Sequence, residues 1–311
     1  MATLEHPVVL GAGPVGRALV AGLVDQGTEP TVVTRSGRTL PGARALAADL
    51  TNPTEAKRAL ANATVVFQAA QPAYTRWPED FPPLQRSIAA GAEAAGATLV
   101  AIENLYGYGP HRGPISADLP LVAATRKGAV RAALWRELAD AHEAGRFPAA
   151  AVRASDFIGP HVEGSAYGER FFGPIVQGGK ADVIGDPSTR HSVSYVPDVA
   201  AAMIAVAADP GAWGRAWHAP CAPAVTQAEL VGLAAQAAGV VPSYRTVRPW
   251  MLRLLGRFVP EVGEMVELAY EFTEDLLVDW SDTEQRFGLA PTPLDEAIRT
   301  TVDWYRNEDR S

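Results

Sequence analysis

The sequence predicts a doubly wound α/β fold, a parallel sheet with a smaller C-terminal part. Three observations carry that expectation. A short apolar run, PVVL, ends in glycines and leads into a segment with helical periodicity. Strand-like and helix-like segments then alternate through the first half of the chain. The helical segments are long enough for right-handed crossovers between parallel strands.

Each element has a local reason. PVVLGAG reads as a buried strand. In PVGRALVAGLVDQG, Val15, Leu19, Val20, Leu23 and Val24 recur at helical spacing, Pro14 suits a first turn and Gly27 a C-terminal stop. TVVTR is the second strand. ARALAADLTN carries a third that ends near Asp49, and PTEAKRAL is a helix opening on proline. ATVVFQAAQP is a fourth strand, FPPLQRSIAAGAEAAGA a helix and TLVAIEN a fifth strand. VAATRKGAVRAALWRELADAHEAG is a long helix, and FPAAAVRASDFIGP a sixth strand. Past Pro160 the alternation breaks into glycine and aromatic residues. SYVPDVAAAMIAVAADPG returns to a strand and helix, and TQAELVGLAAQAAG, GEMVELAYEFTEDLL and TPLDEAIRTTVDWYRNE read as further helices.

Composition narrows the function classes. Hydrophobic residues make up 48% of the 311, enough for a sizeable core, and the net charge is −8. Nucleic acid needs a basic face, so it is not an expected partner. The single cysteine, Cys221, forms no internal disulfide and fits a reducing, cytoplasmic setting. No signal-peptide pattern and no membrane-length apolar run occurs, so no membrane is expected. The six histidines are scattered and form no ligand motif, so no metal site is expected.

Gly11-Ala12-Gly13-Pro14-Val15-Gly16 is a G-x-G-x-x-G that follows a strand and opens a helix, the context in which it binds a dinucleotide pyrophosphate. Gly11 permits the tight turn, Gly13 a close approach of backbone to phosphate, and Gly16 close helix–strand packing. A helix N-terminus also favours anions. An NAD site places an acid at the end of the second strand, on the ribose hydroxyls. Here that place holds Thr34, Arg35, Ser36, Gly37 and Arg38. A guanidinium attracts the 2′-phosphate that a carboxylate would repel, so Arg35, with Ser36 and Arg38, points to NADP(H). Asp49 and Leu50 fall where an adenine edge would lie, and Asp49 is equally suited to capping the next helix. Ala69, Ala70 and Gln71 end the fourth strand, where small residues let the nicotinamide ribose pass.

GAGPVG, ADLTN, VVFQAAQPAY, NLYGYGP, VRASDFIGP, SVSYVPDVAAAM, TQAEL and TPLDEAIRTTVDWYR, in this order, resemble the extended short-chain dehydrogenase/reductase superfamily of NAD-dependent epimerase/dehydratase type. The resemblance covers nearly the whole chain. It implies a Rossmann dinucleotide-binding domain over 1–160, to which 190–220 return. A substrate-binding lid would comprise 161–189 and 221–311. It also implies homodimers through helices near Gln85–Gly96 and Thr125–Gly145.

That family works with a Ser or Thr, a Tyr and a Lys. By resemblance, Lys127 is the lysine that binds the ribose, Ala123 stands at the tyrosine, and Asn104 stands at the serine. The chain is therefore an atypical member, and the departure has three readings. Tyr106 or Tyr108, or Tyr167 in the lid, replaces the missing acid, its pKa lowered by the Lys127 ammonium, with Asn104 orienting a substrate oxygen. Alternatively, an activated enone or imine takes hydride with little acid help. Or the protein senses NADP(H) without turnover, as NmrA-like regulators do. Ser155, Asp156 and Phe157 lie in the segment that the resemblance places against the nicotinamide, although Asp156 equally suits a pair with Arg153 or a turn cap. Arg170, Phe171, Phe172 and Trp213 read as pocket lining or lid packing, and GERFFGPIV favours a hydrophobic substrate. The expected function is an NADP(H)-dependent reductase or dehydrogenase of a small carbonyl, enone or imine; an epimerase or isomerase is the further alternative.

Overall fold

The computed structural model describes residues 4–123, 125–258, 263–264 and 266–308. Seven strands form the central sheet: β1 (Pro7–Leu10), β2 (Thr31–Thr34), β3 (Arg44–Ala47), β4 (Val65–Gln68), β5 (Thr98–Glu103), β6 (Ala149–Arg153) and β7 (Ala216–His218). Their order is β7-β6-β5-β4-β1-β2-β3 and every neighbouring pair is parallel. Among the described residues the longer α-helices are α1 (Pro14–Asp25), α2 (Pro53–Leu60), α3 (Trp77–Ala95), α4 (Arg126–Glu143), α5 (Glu169–Val176), α6 (Val196–Ala207), α7 (Gln227–Ala238), α8 (Pro249–Leu255), α9 (Ser281–Phe287) and α10 (Leu294–Glu308). No helix among the described residues is long and apolar enough to cross a membrane.

Strand β1 shows why both faces of the sheet are covered. Val9 faces a core built with Leu19 and Leu23 of α1 and Met203 and Val206 of α6. Val8 and Leu10 point the other way, into Leu60 of α2, Phe81 and Ile88 of α3 and Leu134 and Leu138 of α4. A strand buried on both sides reads as a continuous apolar run rather than an alternation. The sheet order reverses between β1 and β4, and the resulting crevice lies at the carboxyl ends of those strands.

The glycine loop fits this crevice by sterics. A Cβ at Gly16 would sit 2.1 Å from the Gly11 carbonyl oxygen. A Cβ at Gly11 would approach the Ala70 backbone at 3.0 Å, and Gly11 adopts φ +96°. These two positions pin α1 against the β1 and β4 ends.

Two helix starts differ from the sequence expectation. Helix α3 begins at Trp77 rather than in FPPLQ, and runs through Pro82 and Pro83. Helix α4 begins at Arg126, not in VAAT, because the Thr125 hydroxyl accepts the Gly128 N–H at 3.0 Å and caps it there. Ala123 precedes the helix, its N–H donating to the Gly107 carbonyl at 3.0 Å; Ala124 lies outside the described residues.

The C-terminal half gathers a further core from α5, α7 and α10: Phe171, Phe172, Ile175, Leu230, Ile298 and Tyr305. Phe172 stacks on Tyr305 at 5.8 Å, and Phe171 and Phe172 are wholly buried. Both are spent on core packing, so GERFFGPIV gives no reason to expect a hydrophobic substrate. Trp213 is also packed into a core, its indole N–H donating to the Val206 carbonyl at 3.1 Å, while Arg170 is exposed. The GEMVELAYEF segment, expected to be an α-helix, forms 3-10 turns over Val266–Phe272; Met265 lies outside the described residues.

Gly16→Ala is expected to destabilise the fold by on the order of 1–3 kcal/mol, because the new methyl meets backbone rather than a mobile side chain. Chemical denaturation measures it, and an unchanged midpoint contradicts the packing.

Candidate active site

The crevice presents two connected regions. The first is the glycine loop with the end of β2. Gly13 caps α1 with no side-chain hydrogen bond, and a Cβ placed there meets nothing within 4 Å. The backbone N–H groups of Pro14-Val15-Gly16 therefore begin the helix beside open space, Pro14 supplying none. A cleft of about 340 Å³ continues from Ala12 to Thr34, Arg35, Ser36 and Arg38. The turn is held by the Arg38 N–H donating to the Thr34 hydroxyl at 2.8 Å and by Gly37 at φ +65°. The Arg35, Ser36 and Arg38 side chains are exposed. These groups fit a dinucleotide: a cradle that only a glycine leaves clear, a helix N-terminus, and cations at the ribose end.

Asp49 is not the cap of α2. Asn52 is, accepting from the Thr54 and Glu55 N–H groups at 3.0 and 3.4 Å. The Asp49 carboxylate instead accepts from the Thr51 hydroxyl and N–H at 2.7 and 3.0 Å. Those bonds hold it below the usual carboxylate range, and Arg35 adds to the effect. Leu50 is buried, Ala69 and Ala70 are half-buried beside Gly11, and Gln71 is exposed.

The second region surrounds Lys127. Its side chain is fully buried and its ammonium lies 4.4 Å from the Tyr74 ring centroid. The ammonium pairs with Glu264 and lies 3.6 Å from Glu267. Glu267 also accepts from the backbone N–H groups of Arg126 and Lys127 at 2.9 and 3.3 Å, across the start of α4. Burial pulls the Lys127 pKa down, and Glu267 opposes that. The Tyr74 hydroxyl donates to the Tyr106 hydroxyl at 3.4 Å. Both phenols are pushed upward, chiefly by burial. The lowering expected for a phenol near Lys127 is therefore reversed at Tyr106: desolvation and the carboxylates Glu271 and Asp156 decide it. Asn104 sits below this pair and its Oδ1 accepts from the Tyr106 N–H at 3.3 Å, so it shapes the turn.

Asp156 pairs with His191 Nε2 at 3.0 Å, not with Arg153. Ser155 donates its N–H to the Ser194 hydroxyl at 3.0 Å, and its own buried hydroxyl has no partner among the described residues. Phe157 is half-buried and paired in register with Ser194. Glu271, only 5% exposed, is pushed well above the usual carboxylate range by burial and by Asp156. Five of these residues were not foreseen: Tyr74, His191, Glu264, Glu267 and Glu271. Tyr74 had a signal, since QPAY directly follows β4 at the carboxyl edge. Glu271 had none, because only tertiary folding brings it there.

Tyr108 belongs elsewhere. Its hydroxyl accepts from Arg153 at 2.7 Å and faces His218 Nε2 at 2.8 Å, while Arg153 pairs with buried Glu103 at 3.0 Å. This network ties the ends of β5, β6 and β7 together, and Tyr108 has no contact with Lys127. Tyr167 is likewise a core residue, its hydroxyl donating to Gln227 at 3.2 Å. Cys221 is buried beside Ser194, its thiol pushed up to about 12 by burial.

A parallel sheet of this order, with a glycine cradle at its switch point and a buried lysine–tyrosine group beside it, defines an extended short-chain dehydrogenase/reductase type of protein. The chain belongs to the NAD dependent epimerase/dehydratase family, whose model matches residues 8–217. Similar solved structures include the UDP-glucuronic acid 4-epimerase of Bacillus cereus in complex with NAD, at 14% identity and TM-score 0.78, covering 98% of this chain and 99% of that one. The UDP-glucose 4-epimerase of Thermotoga maritima with UDP-glucose matches at 18% identity and TM-score 0.79, over 98% and 99%. A double mutant of the dTDP-glucose 4,6-dehydratase of Streptomyces venezuelae with NAD matches at 18% and 0.79, over 98% of each chain. No curated protein matches the sequence.

The His218 ring gives a pH prediction. Its Nδ1–H donates to the Asp279 carbonyl at 2.8 Å, so Nε2 accepts from Tyr108, and burial lowers its pKa to about 4 from 6.5. The unfolded chain binds the proton first as pH falls. Stability is thus fully present above pH 6.5 and is lost progressively down to about pH 4, by on the order of 3 kcal/mol. Denaturant midpoints between those pH values measure the slope, and His218→Gln should flatten it; an unchanged slope in that variant contradicts the assignment.

Proposed function

We propose that the protein is an NADP(H)-dependent enzyme that exchanges a hydride with a small substrate at the carboxyl edge of its sheet. The reading rests on one arrangement: the open glycine cradle at Gly13 runs to Arg35 and Arg38 along the carboxyl edge of the sheet, the edge at which Tyr74 follows β4, Tyr106 follows β5 and Lys127 lies in the first turn of α4. When bound, the nicotinamide supplies or accepts the hydride. The chain's own groups do the rest. Arg35, Ser36 and Arg38 hold the 2′-phosphate, a task for which a planar guanidinium with paired donors is suited. Tyr74 and Tyr106 are kept neutral by burial, and Tyr74 already donates to Tyr106. Neutral phenols hand a proton to a substrate atom as it gains hydride, which favours reduction. Lys127 holds positive charge beside them and is placed to meet the ribose hydroxyls.

A second reading, transient oxidation and return of hydride to the same substrate, is favoured by family membership and by the epimerases and dehydratase of the same fold. The two differ in stoichiometry. Net reduction consumes NADPH with substrate; an epimerase or dehydratase leaves bound cofactor unchanged after each turnover.

Cofactor fluorescence titration tests the binding half. NADPH should bind more tightly than NADH. Arg35→Ala should weaken NADPH by on the order of 1.5–3 kcal/mol, with NADH little changed. Equal affinities that ignore the substitution overturn the NADP(H) assignment.

Tyrosine substitutions test the chemical half. Tyr106→Phe and Tyr74→Phe should lower turnover by about 10²–10⁴-fold while cofactor affinity stays. Full turnover in both variants removes the phenols from the mechanism. Tight NADPH binding with no turnover over a broad carbonyl and imine panel points instead to a sensor.

A further inference from the structure

We propose that the protein docks reversibly on anionic membrane surfaces through α8 and the turn that follows it, lying against the bilayer rather than crossing it. Five of the seven large hydrophobic side chains left exposed among the described residues fall in one stretch of chain: Val241, Tyr244, Trp250, Leu254 and Phe258. Trp250 and Leu254 stand one turn apart on α8 and are 59% and 52% exposed. Phe258, in the turn after the helix, is 80% exposed. Leu252 points to the opposite side of α8 and is buried in the C-terminal core. One side of the helix is therefore anchored in the fold, and the other presents a tryptophan and a leucine outward.

The charge around this patch is of one sign. From Gly239 to Pro260 the chain carries four arginines and no acid, although the whole protein has a net charge of −8. Arg245 is taken up by Asp182. Arg248, Arg253 and Arg257 are exposed and pair with no described residue. The acids that follow in sequence are turned inward: Glu264 pairs with Arg126 and Lys127, and Glu267 lies beside Lys127. Free guanidinium groups flanking exposed aromatic and aliphatic side chains match the two layers of a bilayer surface, phosphates outside and acyl chains beneath. The remaining negative charge of the protein is screened beyond about 10 Å at ordinary ionic strength, so the local cluster decides the contact.

Size favours a membrane over a protein partner. Trp250, Leu254 and Phe258 together expose apolar area on the order of 400 Å². That is about half of the ~800 Å² that each partner contributes to a standard protein interface. A bilayer needs no matching surface: side chains that enter it are surrounded on every side. The expectation that no membrane is involved concerns segments that cross one, whereas α8 is suited to lie on one.

Co-sedimentation with vesicles tests this, using phosphatidylcholine alone and an equal mixture of phosphatidylcholine and phosphatidylserine. The protein should bind the mixed vesicles at least about tenfold more tightly than the neutral ones, and added salt should release it. Trp250→Ser combined with Phe258→Ser should weaken binding to the mixed vesicles by at least about tenfold. Arg253→Gln combined with Arg257→Gln should remove the preference for the anionic lipid, and serves where the first variant fails to fold. Denaturation midpoints of both variants, measured alongside, should stay in place because all four side chains are exposed. Absent binding to the mixed vesicles, or equal binding to both kinds, overturns the proposal. A lipid-free protein whose sedimentation coefficient falls in the Trp250→Ser, Phe258→Ser variant, with no vesicle binding by either form, overturns it in favour of an interface between copies of the chain.

Discussion

The arrangement of the whole crevice depends on how closely α1 approaches β1. The Gly16 Cα faces the Gly11 carbonyl at a separation that admits no methyl group, and Gly11 faces the Ala69–Ala70 backbone in the same way. This contact sets the pitch of α1, opens the helix N-terminus beside Gly13, and fixes the gap between β1 and β4. The continuous apolar run of β1 then dictates the layers: Val9 against α1 and α6, Val8 and Leu10 against α2, α3 and α4. The functional groups inherit their positions from that packing, since Tyr74, Tyr106 and Ser155 all leave the sheet at its carboxyl edge.

Around Lys127 the balance of charge matters more than the identity of any one residue. A buried ammonium beside tyrosines could lower a phenol's pKa, but only if it is free to do so. Here Glu264 and Glu267 take its charge from one side, and Glu271 and Asp156 raise the potential energy of a phenolate from another. Desolvation acts in the same direction. The net effect is two neutral phenols in hydrogen-bonded contact rather than a phenolate base.

The layers of the fold were legible because short apolar runs and period-3.6 patterns answer directly to which faces are buried. The glycine turn between β1 and α1 and the turn after β2 were legible because each is set by a few residues adjacent in sequence. The start of α4 was misread because alanines continue a helical pattern through residues 123 and 124, whereas the Thr125 hydroxyl closes the helix one turn later. That shift also changes the meaning of Ala123, which is four residues from Lys127 in sequence but not on the same helical face. Phe171 and Phe172 left pocket lining and lid packing both open because burial cannot be told from exposure for a pair of aromatics in a glycine-rich stretch; the structure packs them in the C-terminal core. Glu271 was invisible because its role depends on the docking of Val266–Phe272 onto the start of α4, which no local pattern encodes.

The same docking accounts for a lysine buried at this edge of the sheet. With Ala123 outside the helix, Lys127 has no tyrosine one turn before it, yet its ammonium stays buried and charge-paired rather than being replaced by an apolar residue. Burying an unpaired cation costs several kcal/mol, so a lysine without function would be expected to reach solvent or be compensated by a fixed structural partner. The compensation here comes from a C-terminal segment, through Glu264 and Glu267. The C-terminal half therefore contributes more than a cover: it holds the buried ammonium and lays Glu267 across the start of α4.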